Sequence, residues 1–200
     1  MKLPISLIAI GTAFLLAGCG ASSTPPADPN TEPSGPDPSV SAVPIVLPTV
    51  ARKFTVTSTA FTDGKPIPAS YTCQGEGKVP PLTWSGDLAG GKNVAIVVDD
   101  ADSPDGGFVH WLVVDLPVKP PTALDPDKLP DGAHAAANSD GDASWSPPCP
   151  DLGTHHYRFT VYALDGPSGV SDGSDPGQAL QLLAPHIKAY GQLTGTATAS

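Results

Sequence analysis

An all-β-dominated domain with a few short helices is the fold class this 200-residue sequence predicts, and three observations carry it. The runs Asn93 to Asp99, Phe108 to Leu116 and Tyr157 to Leu164 are apolar or alternating and rich in β-branched and aromatic residues, which fits strands. With 25 Pro and 21 Gly, the chain is interrupted too often for long helices. Helical spacing is weak and confined to Gln178 to Leu183 and Pro185 to Tyr190, so short helices are expected near the C-terminus.

The N-terminal fifty residues read as something other than a core. Met1-Lys2 is a minimal positive start, and Pro4 to Leu16 is apolar but too short to span a bilayer. Leu16-Ala-Gly-Cys19 then places small residues ahead of a cysteine, which resembles the lipobox of bacterial lipoproteins. The resemblance implies a signal peptide over 1–18, cleavage before Cys19, and acyl chains on that residue. Acyl burial at about 0.8 kcal/mol per methylene gives a stable anchor on the extracytoplasmic face of a cell membrane. Gly20 to Pro48 is dominated by Pro, Ser, Thr and Asp, so 19–50 is read as a lipidated cysteine and a Pro-rich, disordered tether, leaving 51–200 as the folded domain.

Charge narrows the partners. The formal net charge is −10, and no basic stripe is visible, which excludes a nucleic-acid function. The same excess repels an anionic membrane surface within about 8 Å, so membrane attachment falls to the lipid.

Within the folded part, Asn93 to Asp99 reads as a buried strand and Phe108 to Leu116 as its neighbour, joined by the loop-forming residues Ala101 to Gly107. Antiparallel pairing would bring Asp100 close to His110. In the third run the period of two places His155, Tyr157, Phe159 and Val161 on one face, with His156 and Arg158 on the other. By the same alternation Trp111 points away from His110, into the core.

Three further segments fix a family. These are Ser70-Tyr-Thr-Cys-Gln-Gly75 with Val79-Pro-Pro-Leu-Thr-Trp84, Asp100-Ala-Asp-Ser-Pro104 with His110-Trp111, and Pro148-Cys-Pro150 with Gly153-Thr-His-His-Tyr157. In this order, closed by Val161-Tyr-Ala-Leu-Asp165, they resemble the phosphatidylethanolamine-binding protein family, in its bacterial Raf-kinase-inhibitor-like branch, over roughly Phe54 to Leu193. The resemblance implies an antiparallel Greek-key β-sandwich with short peripheral and C-terminal helices. It also implies a pocket for a small anionic or phospholipid-headgroup ligand at Asp100, His110, His155 and Tyr157, with Pro148 and Pro150 shaping its rim. Two imidazoles suit phosphoryl oxygens as hydrogen-bond donors, and a carboxylate beside one of them favours its charged form. Three departures bear on that pocket: His156 stands where the family usually has Arg, Pro147 replaces a Gly, and Asp151 replaces a Pro.

With Cys19 consumed by lipid, Cys73 and Cys149 form an even pair in an exported chain and are expected to be disulfide-bonded. Other chemistries have weaker support. Asp99, Asp100 and Asp102 lack the ligand count of a calcium loop. A zinc site at His110, His155 and Asp100 is chemically admissible, but the resemblance points to an anion, so no metal or other cofactor is expected. Ser103, Ser144 and Ser146 sit in no strained nucleophile turn, so the expectation is a binding protein rather than an enzyme. The competing expectation is an interaction module that inhibits a protease or another enzyme of the cell envelope, as some relatives do. Relatives also form homodimers.

Overall fold

The computed structural model describes residues 49–104, 107–121 and 124–200. The expected signal peptide, Cys19 and nearly all of the expected tether lie outside these residues. The body is organised around β4 (Asn93–Asp100), which runs antiparallel between β5 (Phe108–Pro117) and β7 (Thr154–Leu164). Outside β7 lies β8 (Ile187–Thr198), and outside β5 the two-residue β6 (His134–Ala135). The six-stranded sheet is completed by β2 (Lys65–Pro66), which pairs with β8 in parallel. A second sheet holds β1 (Phe54–Ser58) and β3 (Leu82–Gly86), paired antiparallel.

The strands form where the sequence buries both faces. β4 reads Asn-Val-Ala-Ile-Val-Val-Asp-Asp, and all its residues but the first are buried, as expected of a central strand. Its two sides feed two cores. Val94, Ile96 and Val98 join Trp111, Phe159 and Val161 beneath Phe54, Val56, Leu82 and Trp84 of the small sheet. Ala95 and Val97 face the opposite way, where Leu112, Val114 and Leu164 meet the helix α1 (Pro176–Leu183). That helix starts on an Asp175 cap, whose carboxylate accepts the Gln178 N–H at 3.0 Å, with Pro176 at the first position. It buries Ala179, Leu180 and Leu183.

Three expectations need correction. The sheet is mixed rather than wholly antiparallel, because β2 lies parallel to β8. The helical reading of Pro185 to Tyr190 fails after one 3-10 turn at Ala184–His186, and the chain then enters β8, the longest of these strands. Its inward residues include Ala189, Gly191, Leu193, Gly195 and Ala197, too small to show a strong alternation. Small residues are required there: a Cβ on Gly191 would lie 2.7 Å from Phe54, and one on Gly195 2.5 Å from Ile67. The third correction concerns the alternation around His110; Trp111 itself is buried in the core, as expected. Between Val98 and Asp99 the pairing with β5 skips from Trp111 to Val109, so His110 is the extra residue of a bulge. Alternation breaks at that point, and Trp111 packs in the same core as Tyr157 and Phe159.

Arg158 and His156 do point to the other side of β7. Arg158 makes a two-pronged ion pair with the buried Asp99, its Nε lying 3.1 and 3.0 Å from the two carboxylate oxygens. Burial raises the Asp99 pKa, and the guanidinium pulls it back. Arg158→Leu would strand this carboxylate. Because the guanidinium is partly wet, the expected cost is about 2 kcal/mol, below the 3–5 kcal/mol typical of a sealed pair. Urea unfolding of the two proteins checks this, and equal midpoints would count against it.

The chain outside the sheets is pinned near its start. Val50 packs against the helix-side core, the Tyr190 N–H donates to the Ala51 carbonyl, and Lys53 N–H donates to the Tyr190 carbonyl. Within the described residues, packing against the body is thus in place from Val50. Cys73 and Cys149 are bonded to each other. Among the described residues, no helix is long and apolar enough to cross a membrane.

Candidate ligand pocket

The topology explains why distant residues meet. Asp100 ends β4, where its register partners are Phe108 at the start of β5 and Tyr157 near the start of β7. One end of the central strand thus gathers the beginnings of both neighbours. The bulge at His110 turns its ring towards the same end, within 5.2 Å of the Tyr157 ring, centroid to centroid. His155 lies two residues before Tyr157 on the same face, and its ring stacks at 6.5 Å.

These four side chains line one open cavity of about 490 Å³. Its wall also includes Ser103, Pro104 and Phe108 on one side and Ser146, Pro147 and Cys149 to Leu152 on the other. Pro150 is part of the rim. Pro148 is not: it is buried, and its carbonyl accepts the Cys73 N–H at 3.1 Å, so it braces the rim from behind. Pro147 takes the place expected for it.

The two histidines are in different electrostatic states. His155 Nδ1 donates to Asp100 Oδ2 at 2.6 Å, while Asp100 Oδ1 accepts the Asp102 N–H at 2.9 Å. The hydrogen bond to Asp100 raises the His155 pKa from its ordinary 6.5, against a smaller opposing effect of burial. A raised folded-state value means that this pair adds stability fully below about pH 6.5, and the contribution is lost as the pH climbs through the raised pKa. His110 goes the other way. Burial lowers its pKa, outweighing the Ser146 carbonyl, which lies 2.9 Å from Nδ1. At neutral pH His110 is therefore uncharged. With its Nδ1 proton given to that carbonyl, Nε2 is a hydrogen-bond acceptor. Burial also raises the Tyr157 pKa well above the usual phenol value, so its hydroxyl keeps its proton.

Negative charge collects at the mouth. Asp140 and Asp151 line the cavity with Asp100, and no Lys or Arg is among the lining residues. Asp140 also accepts from the Ser146 hydroxyl at 3.1 Å. Of the other departures, His156 sits outside the cavity and Pro147 lines it. His156 faces outward and gives both its backbone N–H and Nδ1 to Asp102 Oδ2 at 2.7 Å, fastening the Asp100 to Pro104 segment to β7. Pro147 leans on Gly77, where an added Cβ would stand 3.2 Å from the proline ring. Among the described residues, no three His, Cys, Asp or Glu side chains are gathered as metal ligands.

Sequence reasoning missed Phe108, Asp140 and Leu152 as lining residues. Leu152 is 81% exposed at the mouth, an unusual position for a leucine. Its place between Asp151 and Gly153, just after the Pro148-Cys-Pro150 block, is the one signal that marked it.

A strand-built body with an open polar pocket at one end of its central strands defines the class of protein: a β-dominated domain built around such a cavity. Comparison with known proteins makes the family definite: residues 57–198 match the family model described as Phosphatidylethanolamine-binding protein, and this chain belongs to that family. Along 98% of its length it is 34% identical to a Mycobacterium tuberculosis protein named "Putative lipoprotein LppC", over 96% of that protein. Two solved structures agree in fold. Escherichia coli YbcL, titled a new member of the mammalian PEBP family, superposes with a TM-score of 0.67 at 32% identity, covering 74% of this chain and 99% of that one. The PEBP homologue CT736 of Chlamydia trachomatis gives 0.66 at 34%, covering 75% and 100%.

Proposed function

We propose that this protein is an exported lipoprotein, held at a membrane through Cys19, whose pocket binds a small phosphoryl-bearing ligand such as a phospholipid headgroup. The observation that carries the reading is the convergence of Asp100, His110, His155 and Tyr157 on one open cavity. The lipoprotein name of the Mycobacterium tuberculosis relative, which matches along nearly the whole chain, supports the anchor.

The roles follow from the protonation states. His155, charged through Asp100, donates from Nε2 to a phosphoryl oxygen, and Tyr157 supplies a second neutral donor. His110 accepts a proton from a P–OH or ligand hydroxyl. A donor and an acceptor side by side favour a singly charged, protonated phosphate over a dianion, and the carboxylates of Asp140 and Asp151 push the same way. Leu152 offers an apolar contact at the mouth, suited to the part of a lipid beyond its headgroup. No residue in this arrangement has the role of a nucleophile, and the activity is binding.

Isothermal titration with inorganic phosphate between pH 5.5 and 8.5 tests the proposal. Affinity is expected to fall as the pH rises through the raised His155 pKa, above 6.5. Protonation of His110, and of phosphate itself below about pH 7, strengthens binding at the acid end. Binding that stays flat across the series would reject the charged-imidazole role. No heat and no shift of the histidine NMR signals at millimolar phosphate would reject the pocket's function.

A further inference from the structure

We propose that the pocket is one half of a bipartite site and that its ligand is a phosphate ester of a sugar or cyclitol, with the ring seated in a second cavity across Pro150. The proposal rests on the phosphoryl reading above and adds what the phosphate is attached to.

The second cavity measures about 190 Å³, about the size of a single pyranose or cyclitol ring, and Pro150 lines both hollows. Its chemistry differs from that of the first. Its lining residues include Thr72, Gln74, Thr196 and Thr198, of which Thr198 shares its hydroxyl with Thr154, together with the apolar Ile67 and Pro66, and no charged residue takes part. Neutral donors and acceptors over an apolar surface recognise a polyol, whereas a bare ammonium group would find no countercharge there.

Several groups are held in place while others stay open. The Gln74 amide donates to the Thr198 carbonyl at 2.8 Å, which fixes the side chain. Thr72 Oγ1 donates to the Ala69 carbonyl and accepts the Gln74 N–H, fixing the backbone beneath it. Among the described residues, the Thr196 hydroxyl and Gln74 Oε1 make no hydrogen bond. Both residues line the cavity. The two hollows are also tied mechanically: Cys149 lines the first, and its bonded partner Cys73 sits between Thr72 and Gln74 of the second. A ligand spanning Pro150 would meet two walls that cannot separate.

Four probes decide the matter by titration at pH 6.5: methyl phosphate, phosphoethanolamine, glucose 1-phosphate and myo-inositol 1-phosphate. At least one of the two ring esters is expected to bind about tenfold more tightly than methyl phosphate, the gain of two or three neutral hydrogen bonds. The double variant Gln74→Leu with Thr196→Val should erase that advantage and leave methyl phosphate affinity unchanged, with an unaltered melting temperature as the check on folding. Ring esters that bind no better than methyl phosphate overturn the proposal, as does phosphoethanolamine binding equally well or an advantage that survives the double variant. If none of the four binds, the phosphoryl reading itself has failed and this proposal with it.

Discussion

Alanine at His155 is expected to weaken phosphate binding by at least thirtyfold. The substitution removes the one cationic donor facing the cavity and leaves the buried Asp100 carboxylate without its partner. Truncating one member of a hydrogen-bonded charge pair at a binding site costs about 2–5 kcal/mol, and 2 kcal/mol already corresponds to about thirtyfold. Asp100→Asn makes a sharper comparison. The amide can still orient the ring but no longer stabilises its charge, so affinity at pH 7.5 should drop by about tenfold while that at pH 5.5 changes little. Titration calorimetry on both variants at both pH values separates positioning from charge. Equal losses at the two pH values would show that Asp100 acts through geometry alone.

Serine at both Cys73 and Cys149 should produce the largest loss of stability short of a core truncation. The bond closes a loop with a sequence separation of 76, and its removal releases chain entropy of up to about 4 kcal/mol at 25 °C, within a typical range of about 2–4. For a domain of this size that corresponds to a fall in melting temperature of about 5–15 °C. The effect should be local as well as global. The 70–78 segment meets the pocket rim through this bond, the Cys73 N–H to the Pro148 carbonyl at 3.1 Å, and the Trp145 indole N–H to the Gly77 carbonyl at 2.8 Å. Amide exchange at 145–150 should therefore quicken more than exchange in β4. A melting curve identical to that of the parent, with a mass showing two free thiols in the parent, would overturn the assignment.

How far the sequence discloses this architecture depends on where the apolar residues are large. β4, β5 and β7 are legible because Val, Ile, Phe and Tyr fill their inward positions. The junction of Asp100 with His110 follows from the same runs, since antiparallel neighbours of a central strand begin where it ends. β8 is not legible: its glycines and alanines admit Phe54 and Ile67 against the sheet, and the strand carries its meaning in absent side chains. Bulges are equally silent. Nothing in Val109-His-Trp-Leu112 announces that His110 lies outside the ladder, so strict alternation was expected where the bulge breaks it, although Trp111 is core as expected. The roles of the two histidines were hidden for another reason. A sequence shows two imidazoles, whereas burial against Ser146 for one and a carboxylate partner for the other divide them into an acceptor and a cation.

The place where the chain joins the sheet has a geometric consequence. Arg52 runs parallel to β8 beside Tyr190, and β8 carries on for seven more residues to Ala197, the neighbour of His155. At about 3.3 Å per residue the described chain enters the body roughly 23 Å behind the opening, at the other end of β8. Under the anchoring proposed above, the point of entry and the door for cargo therefore lie at opposite ends of one strand, and a molecule coming from the end opposite that entry meets the opening directly.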